Sequence, residues 1–289
     1  MAGEFLANGL INGSLIALVA LGFALVYNTI RVFHIAYAGI YLWAGYVMWF
    51  FSTRLHWPLV LAVLMAIFAS SILGILIQGL VYRPLMGKGR TQDASMISSL
   101  GVLIFLVSLV ELLFGNSPLY LDFEPGRTIF GHGFPVTAFR IYQFLAGITA
   151  ISAFYLLLKY THLGINIRAL RDNEILSRLH GVDTRAVRLL LYVLSGTMVG
   201  LAASLGALDV GINPHLGIPV FINAFVALVI GGVGRFDGPV AGGIILGLLQ
   251  SMTEYFFDSR WMMMVTFIVL IIFLAIKPKG LFPERTRAF

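Results

Sequence analysis

The sequence predicts an all-α integral membrane protein, a polytopic bundle of eight or nine transmembrane helices. Three observations carry this. Of the 289 residues, 59% are hydrophobic and 11% charged, whereas a soluble domain is nearer half apolar and a quarter charged. The apolar residues gather into nine stretches, each long enough or nearly so to cross ~30 Å of hydrocarbon at ~1.5 Å per helical residue. These stretches lack period-two alternation and are too long for barrel strands.

In order, the stretches are residues 5–30, 32–51, 57–82, 94–115, 141–158, 189–208, 218–233, 239–257 and 261–276. Lipid offers backbone groups no partners, so each is expected to be helical, or broken only where protein or water covers the break. The N-terminal segment carries Glu4 as its only early charge. It lacks the positive lead of a cleaved signal, so the first stretch is expected to remain as a span. Only Arg31 separates the first two stretches. Either the two helices meet in a tight hairpin, or the second segment is re-entrant or discontinuous, which the His and small residues of RVFHIAYAGIYLWAG suit in a helix lining a cavity. If that segment does not cross, the count is eight. The whole chain, 1–289, is expected to form one transmembrane domain with a cytoplasmic loop at 159–188 and a periplasmic loop at 116–140.

Charge sets the orientation. With nine crossings and the N-terminus outside, Arg54, Arg127, Arg140 and Arg260 fall outside. The other fifteen of the 19 Lys and Arg, including Lys88, Arg90, Arg285 and Arg287, fall inside with the C-terminus. Such a bias in short loops marks the cytoplasmic side. It also accounts for the net charge of +6 without a nucleic-acid partner. The chain has no cysteine, which excludes disulfides, thiolate metal sites and cysteine nucleophiles.

One apolar run, LVIGGVGRFDGPVAGGIILGLL (residues 228–249), is interrupted by charge and glycine. A compact cytoplasmic turn at 234–238 is expected there. Gly supplies positive φ, and Pro239 fits the first turn of the following helix. A plain helix hairpin explains the turn. A hinge built on Gly231, Gly232, Gly234, Gly238, Gly242 and Gly243 explains it equally, because these glycines and Gly247 let helices approach closely at a moving interface.

The most informative polar segment is KYTHLGINIRALRDNEILSRLHGVDTRAVR, residues 159–188. Asp172 or Asn173 can cap a short helix by accepting an orphan backbone N–H. Ile175, Leu176 and Leu179 then share one face. Gly181 is a C-terminal stop, with His180 just before it where a cation suits the helix end. A short amphipathic helix facing the cytoplasm lies on anionic lipid or docks in a groove of a partner.

Four stretches together resemble the permeases of branched-chain amino acid ABC transporters, of the LivH/LivM type and nearer the LivH half. They are NGLINGSLIALVALGFALVYNTIRVFHIAYAGIYLWAGY, RALRDNEILSRLHGVDTRAVRLLLYVLSGTMVGLAASL, LVIGGVGRFDGPVAGGIILGLL and KPKGLF. They occur in the family's order and cover nearly the whole chain. The resemblance implies a subunit of a bacterial inner-membrane importer. Its implied partners are a second permease of LivM type, two ATP-binding subunits of LivG/LivF type and a periplasmic substrate-binding protein. ATP and Mg would then be bound by the ATPase subunits, with no cofactor on this chain. In such transporters the cytoplasmic loop couples to the ATPase. By position, Asn173, Leu176, Ser177, Leu179, His180 and Gly181 match that element, although small alanines are common where Leu176 and Ser177 stand. ATP-driven movement of the docked helix would rock the permease halves and switch the side to which a central cavity opens.

A hydrophobic amino acid as substrate needs apolar walls and a few polar groups. Intramembrane polar residues are expensive and therefore candidates for the pathway. They are Asn12, Ser14, His34, Ser98, Ser99 and Asn223. Against each stands a structural role, in which Ser or Asn bonds a helix carbonyl or joins two helices.

The chain has no H-E-x-x-H and no G-x-S-x-G. GKGR at Gly87 lacks the glycine-rich lead and the Ser or Thr of a phosphate-binding loop. ATP hydrolysis is therefore expected of a partner, and the chain is not expected to be an enzyme. The substrate stays open between branched-chain amino acids and urea, short amides or another small solute. A passive channel or structural subunit is the alternative of a different class.

Overall fold

A computed structural model of the chain describes residues 2–86, 92–121, 128–131 and 134–282. Lys88, Arg90, Arg127, Arg285 and Arg287 of the charge count, and the GKGR stretch, lie outside the described residues. The described part is predominantly helical. Its helices are α1 (Ala2–Ile30), α2 (Tyr37–Trp49), α3 (Leu59–Ile77), α4 (Arg83–Met86), α5 (Gln92–Phe114), α6 (Ala138–Tyr160), α7 (His162–Asp172), α8 (Glu174–Leu179), α9 (Thr184–Val210), α10 (Gly217–Gly231), α11 (Asp237–Phe256) and α12 (Met262–Ile276). All nine apolar stretches contain a helix. Six of the helical segments are long and apolar enough to cross a membrane, and Gly217–Gly231 is apolar but shorter.

A short non-helical link, longer than Arg31 alone, separates the first two helices, and the second then runs without a break from Tyr37 to Arg54. Residues 31–34 are not helical. Arg31 adopts a left-handed φ of 59°, and α2 begins only at Tyr37. The link is buried at Val32, His34 and Ala36. The orphan N–H of Ala36 donates to Ser99 Oγ at 2.8 Å, so a neighbouring helix provides the partner that lipid does not. Two π-helical turns, Phe50–Arg54 and Gln78–Tyr82, extend α2 and α3.

The contacts divide the chain into two units. One holds residues 1–24, 123–151 and 219–289. Its helices meet through small residues, as expected where lipid removes the hydrophobic drive between helices. A Cβ on Gly243 of α11 would lie 2.5 Å from the Ala17 Cα of α1, and one on Gly13 would lie 2.9 Å from the Ile244 Cα. Val226, Ile230 and Leu246 form a core packed by Val269, Leu270 and Phe273. The stretch expected to be a periplasmic loop holds two short strands. Its strands β1 (Thr128–Gly131) and β2 (Phe134–Thr137) pair antiparallel, Thr128 opposite Thr137.

The other unit holds residues 25–122 and 152–218. Here α3 crosses α9 at close range. A Cβ on Gly196 would lie 2.6 Å from the Ser71 Cα, and Ser70 Oγ donates to the Gly196 carbonyl at 2.8 Å. On α2, Trp43 Nε1 donates to the Leu106 carbonyl of α5 at 3.1 Å. Leu119 and Ile212 exchange backbone hydrogen bonds of 2.8 Å in each direction, which fixes the first residues after α5.

Candidate functional site

The polar loop 159–188 folds as two helices. Only the second was expected. Thr161 caps α7 by accepting the Gly164 N–H at 3.2 Å, and α7 buries Ile167 and Leu170. Arg168 donates to the Leu158 carbonyl at the end of α6. Asn173 then breaks the helix in an extended conformation and caps α8, its Oδ1 accepting the Leu176 N–H at 2.9 Å. Ser177 faces inward and donates to the Asn173 carbonyl at 2.8 Å. His180 Nδ1 lies 2.8 Å from the Leu176 carbonyl, and Gly181 ends the helix at φ 82°. Ile175, Leu176 and Leu179 are 75%, 53% and 79% exposed. The six coupling candidates thus form one capped turn-and-a-half of helix with an outward apolar face.

The base of α8 is tied to α9 electrostatically. Glu174 accepts from Arg178 at 2.9 Å and also pairs with Arg188 of α9. Asp183 caps α9, accepting the N–H groups of Arg185 and Ala186 at 2.9 and 3.1 Å. Two ion pairs and two caps thus fasten this short helix to the start of α9.

The glycine-rich turn is closed by the segment after α12. A Cβ on Gly238 would lie 2.6 Å from the Gly231 carbonyl oxygen, and Cβ atoms on Gly231 and Gly242 would collide with the Gly238 and Ala227 carbonyls. Gly243 meets Ala17 at the distance given above. Gly232 and Gly234 adopt φ of 105° and 103°, where a side chain is strained. Lys277 and Gly280 form a turn with a 2.8 Å backbone bond. Leu281 and Phe282 then donate to the Ile230 and Gly231 carbonyls at 2.9 and 3.0 Å. These are orphan acceptors of the last turn of α10, so KPKGLF serves as their cap. Arg235 pairs with Asp237 at 2.7 Å and lies over the Phe282 ring. Close approach accounts for the glycines through packing, the plainer of the two roles open to them.

The intramembrane polar residues fall into separate groups. Ser14 donates to the Ile11 carbonyl and Ser98 to the Ala94 carbonyl, each within its own helix. Asn12 is half-buried on α1. Asn223 accepts from Gln250 Nε2 at 3.0 Å, and Gln250 also donates to Thr266 at 2.8 Å. This network joins α10, α11 and α12. His34 and Ser99 are brought together. His34 Nδ1 lies 2.6 Å from Tyr82 Oη, and the ring is enclosed by Tyr37, Tyr82 and Tyr192 at centroid distances of 5.3 to 5.9 Å. His34 Nε2, Tyr192 Oη and Ser195 Oγ are buried without a partner among the described residues. Tyr82, Tyr192, Gln78 and Gln250 were missed from the sequence. Isolated amides in long apolar runs were the available signal.

A sequence profile of the family described as "Branched-chain amino acid transport system / permease component" matches residues 5–274. The chain is 29% identical to the high-affinity branched-chain amino acid transport system permease protein LivH of Escherichia coli K12, over 95% of this chain and 93% of that one. It is also 29% identical to BraD of Pseudomonas aeruginosa, over 96% and 94%. The ribose import permease protein RbsC of Escherichia coli K12 is 28% identical over 72% and 67%. The solved structure of PsaBC from Streptococcus pneumoniae in complex with Fab shares the fold. Its TM-score is 0.55 at 16% identity, covering 96% of this chain and 93% of that one. With the profile matched along 5–274, this chain belongs to the family of permease components of branched-chain amino acid transport systems.

Proposed function

We propose that this chain is one of two permease subunits of a bacterial inner-membrane ABC importer for branched-chain amino acids, with α8 as its coupling helix. LivH and BraD, by their names, are permeases for that substrate class. The observation that supports the coupling role is the outward face of α8. Ile175, Leu176 and Leu179 are turned to solvent while caps and ion pairs fasten the helix base. Exposing large apolar side chains on a rigid, polar-based helix suits a groove on a partner. The partners in this reading are a LivM-like permease, two LivG/LivF-like ATPases that bind the ATP and Mg, and a periplasmic binding protein. The C-terminus is cytoplasmic.

Co-purification and a substrate-stimulated ATPase assay in reconstituted vesicles test this. Leucine in the presence of the binding protein is expected to stimulate ATP hydrolysis, and urea or short amides are not. If no ATPase subunit accompanies the chain, it is not an importer subunit. Replacing Leu179 and Gly181 by Arg is expected to abolish uptake while the permease still inserts. Uptake at the wild-type rate would remove the coupling role.

A further inference from the structure

An open cleft of about 1010 Å³ lies beside the base of α8. Gln78, Gly79 and Arg83 form one wall, at the π-helical turn where the α3 segment ends. Glu174 and Arg178 form a second, and Asp183, Arg185, Arg188 and Leu189 a third. Four guanidinium groups therefore face two carboxylates. Both carboxylates are already engaged. Glu174 is shared by Arg178 and Arg188, and Asp183 caps α9. Arg83 and Arg185 have no ion pair with any described residue. The N-terminal turn of α9 adds its own positive end to the same space.

Two of the cleft's walls belong to segments long and apolar enough to cross a membrane, Leu59–Leu85 and Thr184–Val210. Leu76 and Leu80, on the turns leading to Arg83, are largely exposed, as is Leu189 on α9. A Cβ on Gly79 would meet nothing within 4 Å, so the floor is open. Gln78 is 5% exposed and lines the cleft, and its Oε1 has no partner among the described residues. An occupant must then offer an anion for Arg83 and Arg185, a donor for Gln78, and apolar surface for the leucines.

We infer that this cleft binds one anionic phospholipid with a hydroxyl-bearing headgroup, of the phosphatidylglycerol class. The phosphodiester sits on Arg83 and Arg185, a headgroup hydroxyl donates to Gln78, and the acyl chains run along Leu76, Leu80 and Leu189. Paired Arg is suited to phosphate oxygens, and basic pockets between transmembrane helices hold anionic headgroups. Because Arg178 and Arg188 line the same cleft and grip Glu174, the lipid braces the root of α8. A free phosphate would satisfy the arginines but leave the leucines bare. An acidic segment of a protein partner would not follow these apolar segments. The inference uses the membrane placement of α3 and α9 and holds whatever solute is carried.

Native mass spectrometry of the purified full chain tests it, with phosphatidylglycerol and phosphatidylcholine of matched acyl chains as probes. One phosphatidylglycerol per chain is expected to be retained several-fold more than phosphatidylcholine. The same lipid is expected to raise the melting temperature by a few degrees, and inorganic phosphate is not. The Arg83→Gln, Arg185→Gln double variant is expected to lose both effects while melting like the wild type in phosphatidylcholine. Gly79→Leu, which fills the floor without touching a charge, is expected to lose them too. Equal retention of the two lipids, or a preference unchanged in both variants, overturns the proposal. So does a melting shift given by phosphate alone, which makes the site one for a free anion. Variants that lose the ATPase subunit but keep the lipid preference overturn it in favour of a protein partner.

Discussion

At the scale of single residues, much of this protein is decided by where a Cβ has no room. Gly242 of α11 sits against the Ala227 carbonyl, and a methyl group there collides with backbone. At Gly101, equally embedded in an apolar run, a methyl group would meet nothing within 4 Å. The two look alike in the sequence. Gly242→Ala is expected to cost about 1–3 kcal/mol through overpacking, read as a lower melting temperature in detergent. Gly101→Ala is expected to be neutral or slightly stabilising, since Ala is the better helix former. Equal melting of the two variants would show that α10 and α11 do not pack this closely. The same limit applies to the polar residues. A serine inside an apolar helix reads identically whether it bonds its own backbone, as Ser98 does, or receives a backbone N–H from another segment, as Ser99 does.

At the scale of elements, legibility depended on whether a signal was local. The cap at Asn173, the outward face of α8 and the stop at Gly181 are local, and the structure has all three. An interruption near residues 31–36 was legible because Arg31 and His34 are costly in an uninterrupted span, although a tight hairpin and a broken helix read alike there. Helix α7 was not foreseen, because its buried residues, Ile167 and Leu170, make sense only with the elements they pack on. The hairpin β1–β2 was likewise hidden in a loop rich in Pro and Gly. The pairing of KPKGLF with the glycine turn is the strongest nonlocal case. Two motifs some fifty residues apart in the sequence meet backbone to backbone. A chain ending after Lys277 is expected to melt below one ending after Phe282. Two unpaired helix-end carbonyls cost on the order of a few kcal/mol together. Coincident melting curves would deny the clamp its role.

At the scale of the whole molecule, composition was sufficient for the class and charge gives an expected orientation, but neither reports which polar side chains meet one another. That information lies in tertiary grouping. His34 finds three tyrosines from separate segments, while Asn223 finds a glutamine and a threonine on two other helices. The orientation itself is open to a direct test, because the chain has no native cysteine. Ser117→Cys and Ile175→Cys both occupy exposed positions. A membrane-impermeant thiol reagent applied to spheroplasts is expected to label the first, and the second only after lysis. Labelling of Ile175→Cys in intact spheroplasts would put α8 on the wrong side for any ATPase.

The bonds from Leu281 and Phe282 to the end of α10 also bear on the order in which this fold comes together. A chain is made from its N-terminus onward, so Ile230 and Gly231 are synthesised before their donors exist. Until Leu281 and Phe282 arrive, the turn at 232–238 lacks its latch, and a ribosome that stalls within α12 leaves the end of α10 without these donors.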